Sequence, residues 1–303
     1  MHIPDGFLSP GVAATTWVLA GAGIASALRG ERREAAPMPA GVLGSVAAFL
    51  FAAQMVNVPV AAGTSGHLVG ATLASVLLGP WRALLAIAAV LAVQALLFQD
   101  GGLLAYGANL ADMGLLGCFV GYAVARFVAR AVSGPRGIAS GAVFGAFVAT
   151  VAGAVCASFW LSLSGLYPLS GILPVMLVTH VPIALLEASL TGAILVTLLR
   201  FRPDLVAGLD GETAGRRSSV LVMGWLGTAL AVAAFVAPFA SGLPDGLEKT
   251  ATTLGFASRA SAPWPRLAAV APSVMGLIGT IAAAGLAFAV GRKLAAVSDD
   301  AHR

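Results

Sequence analysis

Charge is what this sequence has least of. Asp, Glu, Lys and Arg make up 10% of its 303 residues, against about 25% in soluble domains, which excludes a globule wetted on every side. Lysine occurs only as Lys249 and Lys293, preceded by Glu248 and Arg292. Neither completes a Gly-x-x-x-x-Gly-Lys-Ser/Thr phosphate loop, so any ATP-driven step belongs to another polypeptide. Cysteine is scarce too. Cys118 and Cys156 each sit inside an apolar stretch, which fits buried thiols and supports neither a disulfide framework nor a zinc cluster. The first basic residue is Arg29, so the cationic start of a secretory signal peptide is missing. Met1 is therefore expected to be the mature N-terminus. Because His2 is not small, Met1 is expected to be retained. The net charge of +4 does not point to nucleic acid, because the cations lie in short loops between apolar runs.

What fills the chain instead is hydrocarbon. Hydrophobic residues make up 59% of it, and the mean hydropathy is +0.94. The pattern predicts an all-α integral membrane protein with about nine transmembrane helices. The runs are 10–28, 40–56, 66–78, 81–98, 105–129, 138–164, 173–199, 220–239 and 268–290. The third is short, which suits a tilted or re-entrant segment. Alternating the loops leaves fourteen of the 17 Lys and Arg on one side, with Lys249, Arg259 and Arg266 on the other. The positive-inside rule then puts the N-terminus outside and the C-terminus in the cytoplasm, as a multi-pass protein of the cell inner membrane. Residues 201–217 read as a cytoplasmic linker. It divides a seven-helix unit (1–200) from a two-helix unit (218–303) whose outer loop holds Pro244-Asp245-Gly246-Leu247-Glu248. Pro4-Asp5-Gly6 and Pro244-Asp245-Gly246 echo each other, and both read as turns.

His2 and His67 both fall on the outer side. A free Met1 amine, the backbone nitrogen of His2 and its imidazole close two fused chelate rings on one ion. Loss of the amide proton is within reach of Ni(II) or Cu(II). Such a planar nitrogen field suits those ions better than zinc, which prefers a tetrahedron. His67 would complete the square. It follows Gly63-Thr64-Ser65-Gly66, so Thr64 or Ser65 is expected to cap a helix that His67 opens, and the helix end would keep the imidazole neutral. A capping or packing role is the competing reading for a lone His67. His180 and Glu187 share a face of the seventh run, and Asp112, Gln94 and Asn109 are further interior polar groups. Each is either helix-to-helix glue or part of metal passage. A Ser65/His67 catalytic dyad is disfavoured, because two residues at a helix start rarely align for proton transfer. His302 is expected to be solvated.

Four separated segments carry a resemblance. Met1-His2-Ile3-Pro4-Asp5-Gly6-Phe7-Leu8, Gly63-Thr64-Ser65-Gly66-His67-Leu68, Gln94-Ala95-Leu96-Leu97-Phe98 with Asp100-Gly101-Gly102, and His180-Val181-Pro182-Ile183 with Glu187 resemble the substrate-capture subunits of nickel and cobalt energy-coupling-factor transporters. The rest, with Pro244-Asp245-Gly246-Leu247-Glu248, is similar to their small accessory subunit. The resemblance implies a Ni2+ or Co2+ site made by Met1, His2 and His67. It implies Asp5, Thr64, Ser65, Gln94, Asn109, His180 and Glu187 as supporting or coupling residues. It also implies a transmembrane coupling subunit and two cytoplasmic ATPases as partners. The fused accessory segment leans to the nickel branch. Ala20, Gly21, Gly23 and Ala27 form a small-residue face for docking the coupling subunit. The alternative is a stand-alone secondary metal transporter or channel that relays ions through His180, Glu187 and Asp112.

Overall fold

Backbone polar groups placed in hydrocarbon must bond within their own segment, and helices do this. The computed structural model describes residues 1–31, 39–201, 218–261 and 272–301. Helices α1 (Pro10–Glu31) and α2 (Ala40–Gln54) lead into a small hairpin of β1 (Val58–Val60) and β2 (Thr64–Gly66). After it come α3 (Ala71–Leu78), α4 (Pro80–Phe98), α5 (Tyr106–Ala131), α6 (Gly134–Leu163) and α7 (Leu169–Phe201). The last part holds α8 (Ser219–Phe239), the short α9 (Gly246–Leu254) and α10 (Pro272–Ala301). Of the expected linker 201–217, Phe201 ends α7, while residues 202–217 and His302 lie outside the described residues.

Seven of these helices are long and apolar enough to cross a membrane: α1, α4, α5, α6, α7, α8 and α10. The other two expected spans are shorter. Helix α2 has 15 residues, and α3 has 8, all of them buried. The third run, 66–78, therefore holds the last residue of β2, a linker and a stub helix packed inside the protein. The chain is mostly helical, as expected for an all-α membrane protein, and it adds one small hairpin in which Val58 pairs with Gly66 and Val60 with Thr64. Thr64 and Ser65 lie in its strand and cap no helix. Helix α3 begins only at Ala71, after Gly70 at φ +73°.

Large side chains such as Val18, Phe127, Phe144, Phe201 and Phe235 point outward from the bundle, as lipid-facing positions do. Inside, small residues bring helices together. A Cβ on Gly141 would lie 2.3 Å from the Ala125 carbonyl oxygen, and one on Gly145 2.3 Å from that of Gly121. Such close approach replaces the hydrophobic drive that is absent in lipid. The proposed small-residue docking face is partly used up in this way. Ala20 and Ala27 are buried in the chain's own core, and Gly23 rests on Leu115. Away from the hairpin, Glu31 pairs with Arg82 and ties the end of α1 to the start of α4.

A second core lies at the hairpin end of the bundle. Ile3 and Phe7 enter it beside Leu161, Ile172, Met176, Leu247 and Phe256. The rings of Phe7 and Phe256 meet edge-on at 5.2 Å. Burying Ile3 and Phe7 contributes about 2–3 kcal/mol each, which is why a nine-residue leader without secondary structure keeps a fixed place.

Candidate metal centre

Polar clamps hold the N-terminal segment where the apolar anchors leave it. Asn109 reads Ile3 as a neighbouring strand would: the Ile3 N–H donates to its Oδ1 at 2.7 Å, and its Nδ2 donates to the Ile3 carbonyl at 3.0 Å. The Asp5 carboxylate accepts from the N–H groups of Leu103, Leu104 and Ala105 at 3.0, 2.8 and 3.2 Å. It thereby caps the start of α5 from a distant part of the chain. Gly101 and Gly102 make the approach possible. A Cβ at Gly102 would sit 2.1 Å from Asp5 Oδ1.

These clamps place Met1 and His2 beside His67. The rings of His2 and His67 stack with centroids 5.5 Å apart, and both residues are buried. Burial, with the Met1 ammonium next in weight, pushes each imidazole down to about 3. Both rings are therefore neutral near pH 7, as ligands must be. The cause corrects the expectation for His67. It lies between β2 and α3 and opens no helix, so desolvation keeps it neutral. Its Nδ1 is buried without a hydrogen-bond partner.

The environment of His2 also selects its tautomer. Gln54 Nε2 donates to the Val69 carbonyl, and Gln94 Nε2 donates to Gln54 Oε1. Gln94 Oε1 is left as an acceptor, 3.2 Å from His2 Nε2. A relay that ends on a carbonyl can run only one way, so Nε2 carries the proton and Nδ1 the lone pair. Yet Nδ1 faces another acceptor, Asp100 Oδ1, at 3.1 Å. A neutral ring has one proton for two acceptors. A cation at Nδ1, the nitrogen that chelates together with the first two backbone nitrogens, removes the conflict. Gln94 starts the wide π-type turn Gln94–Phe98 that ends α4, a distortion frequent at functional sites.

The second unit reaches the same place. Asp245 caps α9 by accepting from Leu247 and Glu248, while Glu248 accepts from the Asp245 N–H. This reciprocal capping explains the pentapeptide locally. The other Asp245 oxygen lies 2.9 Å from the Met1 amine. Burial alone would raise the Asp245 pKa, but the Met1 ammonium and the Glu248 N–H outweigh it and hold the carboxyl well below its usual range. Ser65 fastens the loop, with its N–H donating to the Pro244 carbonyl at 2.8 Å and its Oγ to the Leu243 carbonyl at 2.7 Å. On the other flank, Ser261 N–H donates to the Asp5 carbonyl at 2.8 Å. The two Pro-Asp-Gly turns thus meet around one site, each aspartate capping a helix start.

The remaining expected residues divide. Among the described residues, Thr64 Oγ1 donates to the Ala61 carbonyl within its own hairpin and reaches no other part of the site. Glu187 accepts from the N–H groups of Val69 and Gly70 at 2.6 and 2.9 Å, capping α3 just beyond His67. His180 underlies the outer loop, where a Cβ on Gly246 would come within 2.6 Å of its ring. Sequence reasoning passed over Asp100, Gln54 and the contact of Asp245 with Met1. The spacing of Asp245 from Glu248 signals a capping box, but nothing local signals its pairing with residue 1. Among the described residues no three His, Cys, Asp or Glu side chains converge on one point, so a site here depends on backbone nitrogen as well as side chains.

Comparison with known proteins agrees with this architecture. The family described as "Cobalt uptake substrate-specific transmembrane region" matches residues 2–205. A putative fused nickel transport protein from Archaeoglobus fulgidus is 32% identical, over 96% of this chain and 98% of its own length. A cobalt transport protein from Geobacter sulfurreducens is 32% identical, over 74% of this chain and 68% of its own length. A solved structure described as a truncated transition metal transporter is 31% identical with a TM-score of 0.60. It covers 66% of this chain and 99% of that one.

Proposed function

Since the chain belongs to the cobalt uptake substrate-specific transmembrane family, we propose that it captures Ni2+ or Co2+ at the hairpin end of the bundle for ATP-driven uptake. Nickel has the edge, because a near full-length relative is a putative fused nickel transport protein. The ligands in this reading are the Met1 amine, the backbone nitrogen and Nδ1 of His2, and the His67 imidazole. The observation that carries it is the convergence of Met1, His2 and His67, with the His2 lone pair already directed at an acceptor it cannot satisfy. A neutral His67 stacked on His2 completes a nitrogen set suited to a planar ion.

In this proposal residues 1–200 form the capture unit, and 218–303 form an accessory unit whose outer loop covers the amine. The hairpin end faces outward. Arg29, Arg82, Arg130 and Arg200 lie toward the other ends of their helices, which the positive-inside rule assigns to the cytoplasm. A transmembrane coupling subunit and two ATPases supply the energy.

Titration calorimetry with Ni2+ and Co2+ tests the ligand set, comparing protein cleaved to expose Met1 with the same protein carrying an extra residue before it. The extension turns the amine into an amide. Affinity should fall at least about 1,000-fold, roughly 4 kcal/mol. Equal affinity in the two forms would falsify the proposal. Net metal uptake by the chain alone in liposomes would favour the stand-alone transporter.

A further inference from the structure

A small cavity of about 30 Å³ continues inward from Met1 and His67, with room for one or two waters. Asp112, His180, Glu187 and Asp245 share its walls. Glu187 is occupied in capping α3, and Asp245 in holding the amine. Two polar atoms have no such work. His180 Nε2 is buried without a hydrogen-bond partner, and Asp112 Oδ2 has no N–H or hydroxyl partner, only the weakly donating Cys156 thiol beside the carboxylate, on residues 0% and 2% exposed. Native proteins rarely leave buried polar atoms unmatched, and each exception asks for a reason.

The state of His180 follows from its other nitrogen. Nδ1 lies 2.9 Å from the Met176 carbonyl. A carbonyl only accepts, so Nδ1 holds the proton and Nε2 keeps its lone pair. An imidazole tied to a carbonyl by one nitrogen and offering the other is how proteins orient a metal ligand. Asp112 is prepared in the same manner. Trp160 Nε1 donates to its Oδ1 at 2.9 Å, which fixes the carboxylate and leaves Oδ2 open. The Met1 side chain lines the same cavity and lies near the Asp112 backbone. A Cβ on Gly153 would meet both the Met1 methyl, at 2.8 Å, and the Asp112 carbonyl oxygen, at 3.0 Å.

We propose that His180 Nε2, assisted by Asp112 Oδ2, is an inner station for the divalent cation, entered after the outer chelate releases it. This rests on the capture reading given above. The two places differ in grip. The outer set wraps an ion in nitrogen through fused rings, which favours retention. The inner wall offers one imidazole and one carboxylate oxygen, with water completing the shell. That donor mixture suits Ni2+ and Co2+, and a weakly held station is left as readily as it is entered, as passage requires.

The chain has four histidines, so substituting His2→Ala, His67→Ala and His302→Ala leaves His180 as the one imidazole. The full-length triple variant, with its packing of His180 on Gly246 intact, is loaded with Cu(II) as a paramagnetic probe. Pulsed electron paramagnetic resonance then looks for the remote protonated nitrogen of a coordinated imidazole. The expected result is a single-imidazole signal, with Cu(II) bound at least about 100-fold more weakly than by the unaltered protein. Adding His180→Gln should abolish the signal. Absence of an imidazole signal at saturating Cu(II) in a monodisperse triple variant would overturn the inner station. So would a signal that survives His180→Gln. Binding by the triple variant as tight as the unaltered protein's would instead sink the outer ligand set, and the imidazole signal would still decide for or against His180.

Discussion

Asp5→Asn should damage metal binding although Asp5 is no ligand. The carboxylate gathers three N–H donors, with Oδ1 serving Leu104 and Ala105 and Oδ2 serving Leu103. Asparagine with its oxygen at the Oδ1 position keeps two of these bonds, now to a neutral acceptor. Its NH2 then faces the Leu103 N–H, donor against donor. Hydrogen bonds to charged groups contribute about 1.5–3 kcal/mol and neutral ones about 0.5–1.5. Weakening two and losing the third therefore removes on the order of 3–5 kcal/mol from the docked segment. The apolar anchors Ile3 and Phe7 are unaffected, so the segment should loosen locally while the bundle stays folded. Affinity falls in proportion to the population still docked, and at about 1.4 kcal/mol per tenfold a rise in Kd for Ni2+ or Co2+ on the order of 100- to 1,000-fold is expected. Titration calorimetry measures that change, and hydrogen exchange at residues 103–105 reports the loosening. Unchanged affinity together with fast exchange at those amides would refute the idea that a docked leader is needed for capture. Unchanged exchange would show that the carboxylate bonds contribute little.

Other outcomes follow from the same geometry. Because burial holds His2 and His67 neutral down to about pH 3, their protonation should not weaken binding between pH 8 and 5. The His2 amide must lose its proton to bind, so the apparent affinity should drop at least about 10-fold per pH unit on acidification, measured by titration in several buffers; a flat profile contradicts the nitrogen set. Both imidazoles have folded pKa values below the ordinary 6.5 of a free imidazole, so the unfolded chain binds more protons between pH 6.5 and about 3. The metal-free protein should keep its full stability above pH 6.5 and lose up to roughly 1.4 kcal/mol per pH unit for each ring below it, seen as a falling Tm. Gly246→Ala would put a methyl 2.6 Å from the His180 ring and should lift the outer loop, so that protease cleaves between residues 241 and 261 faster while the bundle's Tm changes by only a few degrees. Glu187→Ala leaves the Val69 and Gly70 N–H groups without their carboxylate, and should destabilise the protein by about 2–4 kcal/mol in a denaturant titration.

How much of this was legible in the sequence depended on range. Long apolar runs announced the seven crossing helices, because hydropathy over some twenty residues is a local property. The third run misled because apolar composition records burial, and a stub helix packed inside protein needs burial as much as a span does. Spacing likewise suggested Thr64 or Ser65 as a cap. The actual cap, Glu187, lies more than a hundred residues away, where no local rule can find it. Met1, His2 and His67 stood out because a histidine at position 2 has distinctive chemistry wherever the rest of the chain goes. Their convergence agrees with that chemistry. The role of Asp100 and the partner of Asp245 were hidden, since a carboxylate in a turn looks the same in sequence whether it faces water or another chain terminus.

The 2.9 Å pairing of Met1 with Asp245 has a consequence for how the protein is made. Translation makes Asp245 244 residues after Met1, once the intervening helices have been threaded into the bilayer. Until then the leader's ammonium waits without its carboxylate neighbour. A ribosome stalled before the final helices would therefore release a molecule in which His2 and His67 sit beside an amine that no carboxylate covers.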